Sequence, residues 1–169
     1  MILDTIAKST RKRVDERKYA KPLKQVMREA LLCAERDRDG GHLFEKALSG
    51  PGVSFICEVK KASPSKGLIA PEFPYVDIAR EYEQGGADAI SVLTEPEFFL
   101  GSDRYLEEIH QAVRLPLLRK DFTVDPYQIY EARLLGASAV LLICSLLGRE
   151  QLKQYIRISR ELGLSALVE

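Results

Sequence analysis

Apolar positions recur at helical spacing over the first fifty residues and fall in short, nearly unbroken runs after that. Leu3, Ile6, Ala7, Thr10 and Val14 share one side of a helix, with Asp4 placed to cap it. Pro22 suits the first turn of a second helix, whose apolar face is Leu23, Val26, Met27, Ala30 and Ala34. Residues 36–41 read as a loop. A short helix over about 42–48 precedes the Ser49-Gly50-Pro51-Gly52 break.

Beyond Gly52 strands and helices alternate. Strands are predicted at Val53–Val59, Ala89–Leu93, Pro116–Arg119, Ala139–Cys144 and Ala166–Glu169. Helix faces between them are Tyr75, Ile78, Ala79, Tyr82; then Leu106, Ile109, Val113; then a helix capped by Asp125 with Pro126 at its first position, running to Leu135; then Leu152, Tyr155, Ile156, Leu162. One phrase repeats weakly: Gly86-Ala87-Asp88-Ala89-Ile90, Gly136-Ala137-Ser138-Ala139-Val140 and Gly163-Leu164-Ser165-Ala166-Leu167. Each puts glycine at a helix end, where a left-handed residue is cheap, just before a strand. Apolar runs of this kind need cover on both faces, so the pattern predicts an α/β fold with a parallel sheet. An open doubly wound sheet and a barrel both satisfy it.

Composition narrows the function classes. Lys+Arg and Asp+Glu are both 25, and this balance argues against a nucleic-acid partner. The first fifty residues carry 12 basic and 8 acidic side chains, which reads as a solvated helical face. Cys33, Cys57 and Cys144 match no metal spacing, and Cys57 and Cys144 lie in apolar runs that predict buried, reduced thiols. His42 and His110 fall in predicted helices as surface or boundary residues, which leaves no metal site and no histidine-based triad in prospect. No apolar run reaches the roughly 18–20 residues of a membrane span, and the start lacks a signal-peptide pattern. A cytoplasmic protein with no membrane partner is expected.

Polar chemistry gathers where strands end. The first strand runs into Glu58-Val59-Lys60-Lys61-Ala62-Ser63-Pro64-Ser65-Lys66-Gly67, the third into Arg119-Lys120-Asp121-Phe122 and the fifth into Glu169. Strand alternation puts Glu58 and Lys60 on one side, where each offsets the other's desolvation. Lys120 would enter from two strands away and Glu169 from two further on. Such a set is either a catalytic cluster or a ring of interior ion pairs. Residues 63–67 read equally as an ordinary turn or as a loop offering hydroxyls, N–H groups and a lysine to a phosphate. Phe98, Phe99 and Phe122 follow strands and suit either core packing or a ligand pocket.

These phrases resemble the indole-3-glycerol phosphate synthase family. The resemblance rests on Glu58–Ser65, on Ser91-Val92-Leu93-Thr94-Glu95 followed by Phe98-Phe99-Leu100-Gly101-Ser102, on Leu117–Phe122, and on the opening Ile2-Leu3-Asp4-Thr5-Ile6. It implies a truncated (β/α)8 TIM barrel with about five strands present: an N-terminal helical extension over 1–50, then a partial barrel over 51–169. It implies a small phosphorylated substrate, 1-(2-carboxyphenylamino)-1-deoxyribulose 5-phosphate, closed to indole-3-glycerol phosphate with loss of CO2 and water and no cofactor. By the same match Lys120 is the general acid and Glu169 the base. Lys60 pairs with the substrate carboxylate, and Glu58 orients and balances the lysines. Ser63 contacts the phosphate, and Phe99, Phe122 and Leu141 pack on the anthranilate ring.

A whole barrel takes about 250 residues. The 169-residue chain alone is therefore expected to be nearly inactive, and to self-associate or require the C-terminal part of a barrel. The alternatives are another ribulose-phosphate-binding barrel, similar to phosphoribosylanthranilate isomerase or the tryptophan synthase α chain, and a non-catalytic half-barrel assembly module.

Overall fold

A computed structural model describes residues 1–37 and 41–169. Of the predicted loop over 36–41, residues 38–40 lie outside these; Arg36 itself still belongs to a helix. Three helices come first: α1 (Ile2–Ala20), α2 (Leu23–Arg36) and α3 (Leu43–Leu48). Asp4 does not cap α1. The helix starts at Ile2, so Asp4 sits in the first turn, where its carboxylate meets the Met1 ammonium at 3.1 Å. Pro22 stands one residue before α2 in extended conformation. His42 precedes α3 rather than lying in it, at a left-handed φ of 59°.

The remaining elements are β1 (Ile56–Val59), a two-stranded hairpin β2 (Ala62–Ser63) and β3 (Gly67–Leu68), α4 (Tyr75–Gln84), β4 (Ala89–Leu93), α5 (Asp103–Ala112), β5 (Leu117–Lys120), α6 (Pro126–Leu134), β6 (Ala139–Leu142), α7 (Arg149–Glu161) and β7 (Ser165–Val168). The hairpin occupies the stretch that read equally as an ordinary turn or as a phosphate-binding loop. Five strands form one parallel sheet in the order β1-β4-β5-β6-β7. The predicted first strand is shortened at its start, because pairing with β4 begins at Ile56 opposite Ala89 and leaves Val53 and Phe55 exposed. The predicted fourth strand ends two residues early. Ile143 starts a turn there, so Cys144 is exposed and Cys57 is half-buried, contrary to the expectation of two buried thiols. All three cysteines are free. The repeated glycines 86, 136 and 163 do take positive φ, between 71° and 87°.

Burial separates the two faces of the sheet. Ile90, Val92, Leu117, Val140 and Leu142 point one way, into a core with Ala79, Leu106, Ile109, Ile129, Tyr155 and Ile158 of the helices. Val14 of α1 and Val26 and Ala30 of α2 join the same core. Ala89, Leu118 and Ala139 point the other way and pack on Phe44 of α3, with Leu48 and Leu167 beside them. A doubly wound sheet would carry βα-unit helices on both faces. Here they coat one face, and α3 plugs the other at the N-terminal ends of the strands. That is a wall of a barrel. No helix among the described residues is long and apolar enough to cross a membrane.

Candidate active site

The parallel register decides which side chains meet. Glu58 pairs with Ser91, Leu93 with Lys120, and Leu141 with Leu167. With two-residue alternation, Glu58, Lys60, Ser91, Leu93, Lys120, Leu141, Leu167 and Glu169 all face the plugged interior, the charged ones at the C-terminal ends. Lys60 Nζ lies 2.8 Å from Glu58 Oε1, and the Ser91 hydroxyl donates to Glu58 Oε2 at 3.3 Å. Lys120 Nζ lies 3.9 Å from Glu169 Oε2. Lys60, Glu58 and Lys120 are about one third exposed or less, whereas the Glu169 carboxylate is 63% exposed. Glu169 is nonetheless held by the strand ladder: its N–H donates to Leu142 O and its carbonyl accepts from Cys144 N.

A cleft of about 410 Å³ opens beside this cluster, lined by Lys60, Ser63, Lys66, Phe99 and Phe122 and, from α1, Ile2, Leu3 and Ile6. The rings of Phe99 and Phe122 lie 5.9 Å apart, tilted by 40°. Ser63 is buried in the hairpin, and its Oγ accepts from the Lys66 N–H at 3.3 Å. Glu58, Lys120, Leu141 and Glu169 share the interior face without lining this cleft. A hollow of about 470 Å³ at the other end of the interior, against Phe44, Leu48 and the edge of β7, holds none of the predicted residues. Among the described residues no cluster of His, Cys, Asp and Glu could hold a metal.

Two features of the site escaped the sequence reading. The first is Arg119, 3% exposed and turned outward beneath the helices while its neighbour Lys120 turns inward. Its guanidinium reaches Asp103 at 2.7 Å and Glu131 at 2.8 Å, with Asp121 at 3.8 Å. Burial alone would lower its pKa; those three carboxylates outweigh burial and hold it above its ordinary range. Arg17 of α1 reaches the same Asp103 and Glu131. The second is how α1 sits over the strand ends, through Arg13 to Glu95 and Glu97 and Lys18 to Asp125. The Ser9 hydroxyl and the Arg13 guanidinium keep the Glu97 carboxyl below the usual carboxylate range. Leu3 and Ile6 show an apolar helix face in the sequence, but nothing there distinguishes core from cleft lining.

Comparisons with known proteins point to one family. A family model described as indole-3-glycerol phosphate synthase matches residues 3–169. The chain is 57% identical, over all of its 169 residues, to the indole-3-glycerol phosphate synthase of Ruminiclostridium cellulolyticum, of which it covers 64%. It is 56% identical to that of Endomicrobium trichonymphae, again covering 64% of the relative. With that of Lachnoclostridium phytofermentans it shares 51% identity over 177 aligned residues, covering 65%. The chain thus spans a little under two thirds of the length of these curated relatives.

Proposed function

The chain belongs to the indole-3-glycerol phosphate synthase family, and from that premise we propose that it supplies the first five strands, and most of the acid–base groups, of an enzyme that closes 1-(2-carboxyphenylamino)-1-deoxyribulose 5-phosphate to indole-3-glycerol phosphate. The observation that carries the reading is the shared face of Glu58, Lys60, Lys120 and Glu169, arranged as two ion pairs beside an aromatic cleft.

In this reading Lys120 donates a proton to the C2′ carbonyl oxygen as the ring carbon bearing the carboxylate attacks C2′. Lys60 holds that carboxylate until CO2 leaves, its bonding electrons returning to the ring. Lys60 then protonates the C2′ hydroxyl, which leaves as water, and Glu169 takes a proton from C1′, whose bonding electrons form the C1′–C2′ double bond and complete the indole. Glu58, tied to Lys60 and Ser91, keeps the ammonium in place. Ser63 meets the phosphate, and Phe99, Phe122 and Leu141 hold the anthranilate ring against the carbonyl carbon, which supplies the orientation an intramolecular closure needs. No cofactor enters the scheme.

We further propose that the 169 residues by themselves turn over poorly, and that they associate with another copy or with the remaining third of a barrel. Exposed Val53, Phe55 and Ile56 at β1 and Val168 on β7 support this. The test follows indole product fluorescence for the chain alone, for the chain mixed with a polypeptide corresponding to the remaining third of a relative, and for the same mixture carrying Lys120→Ala. Turnover is expected only in the second. Equal turnover with Lys120→Ala would refute the assigned acid.

A further inference from the structure

Glu95 is fully buried, and its carboxylate gathers four donors. Arg13 Nη2 donates to Oε1 at 2.8 Å and the Glu97 N–H at 3.2 Å; the N–H groups of Phe98 and Phe99 donate to Oε2 at 2.7 and 3.1 Å. Arg13 is itself fixed on α1 by Ser9 Oγ at 2.7 Å and Thr10 Oγ1 at 3.0 Å, and it also reaches Glu97. The Gly101 N–H donates to Glu95 O at 2.8 Å and closes the loop, and Leu100 just before it takes a left-handed φ of 52°. A buried ion pair contributes little net stability over apolar packing, because desolvation offsets most of its attraction. What this one does is dictate a turn: two successive N–H groups must point at a single oxygen, which sets where the chain leaves at Phe99. The Phe99 ring then faces Phe122 across the cleft that Ile2, Leu3 and Ile6 of the same α1 also line.

We infer that Glu95 is a positioning residue for the aromatic slot, acting through the Phe99 backbone, with Arg13 as the counterion that ties the slot to α1. This rests on the reading of Phe99 and Phe122 as the ring-binding wall. Glu95 touches no substrate. Its charge gathers the loop, so an isosteric neutral side chain at 95, which presents an amide donor where N–H groups already point, cannot replace it.

The experiment incorporates 4-fluorophenylalanine into the full chain, assigns the Phe99 fluorine signal with Phe99→Leu, and titrates the chain with anthranilate, followed by its own fluorescence. Glu95→Gln is expected to displace and broaden the Phe99 signal and to weaken anthranilate binding by about tenfold or more, the scale of a lost hydrogen bond to a charged group. Arg13→Met is expected to move the same signal, and Arg13→Lys to restore most of it. Ser159→Ala, which removes a buried hydrogen bond within α7 away from the slot, is expected to leave it in place. If Glu95→Gln fails to fold, the Arg13 pair carries the comparison. An unmoved Phe99 signal in both Glu95→Gln and Arg13→Met overturns the inference. A signal that moves in a chain that never binds anthranilate keeps the positioning role and sinks the ring-slot reading instead.

Discussion

Arg119 and Lys120 are adjacent cations with opposite surroundings. Alternation along β5 sends Lys120 to the interior face, where it meets Glu169, and sends Arg119 into a nearly sealed pocket among Asp103, Asp121 and Glu131. The two should respond to mutation in opposite ways. Lys120→Ala removes a partly exposed amine and is expected to leave the melting temperature nearly unchanged while abolishing product formation in the complemented enzyme. Arg119→Met removes the cation that sits wholly inside that pocket. Three carboxylates then lose their shared partner, with Arg17 reaching two of them from the rim. A loss of about 3–5 kcal/mol is expected, as for other broken buried charge networks. Urea denaturation of the two variants separates these outcomes, and equal midpoints for Arg119→Met and the parent chain would show the network to be dispensable.

At the scale of elements, helix ends and single hydrogen bonds lock the outer layer onto the strands. Asp125 caps α6, its side chain accepting from the Tyr127 N–H at 2.9 Å, and it also receives Lys18 of α1. Tyr155 of α7 is buried, and its hydroxyl donates to Val124 O at 3.0 Å, joining α7 to the segment that leads into α6. Burial pushes this phenol up from the ordinary 10.0 to about 12. Because the folded pKa is the higher one, the contribution is complete below pH 10, where both states keep the proton. It declines between about pH 10 and 12, where only the unfolded chain has lost the proton. Tyr155→Phe is expected to cost about 1 kcal/mol at neutral pH through the orphaned carbonyl. It is also expected to flatten the fall of stability over that alkaline window. Chemical denaturation at stepped pH checks both, and parallel pH profiles for the two proteins would contradict the assignment.

On the scale of the whole molecule, one face of a five-stranded parallel sheet is sealed by helices and the other is sealed only at the plugged end. β1 and β7 are its edges, and Val53, Phe55, Ile56 and Val168 stand exposed beside them. Unpaired edges with apolar side chains seek a partner. Sizing with light scattering at micromolar concentration is expected to return a mass above the 19.0 kDa of one chain, and to shift to a one-to-one complex when the remaining third of a relative is added. A sharp monomer with cooperative melting would contradict this.

Much of this was legible in one dimension. Short apolar runs located the strands of the main sheet and period-3.6 faces located the helices among the described residues, and the glycine-led phrases marked the helix ends. Alternation placed Glu58 beside Lys60, because neighbours two apart on a strand share a face whatever the rest of the chain does. The strand limits were less legible, since a strand runs only as far as its partner: β1 waits for β4 at Ile56, and β6 stops where Ile143 turns. Cys144 lies beyond that stop and is exposed for the same reason. Nothing local announced that Arg13 would reach Glu95 across 82 residues, that Arg119 would gather acids from two helices, or that Leu3 and Ile6 would line a cleft. Local periodicity determines which side of an element is apolar. Only the packing of α1 over the strand ends decides which charges lose water together, and desolvation makes those pairings matter.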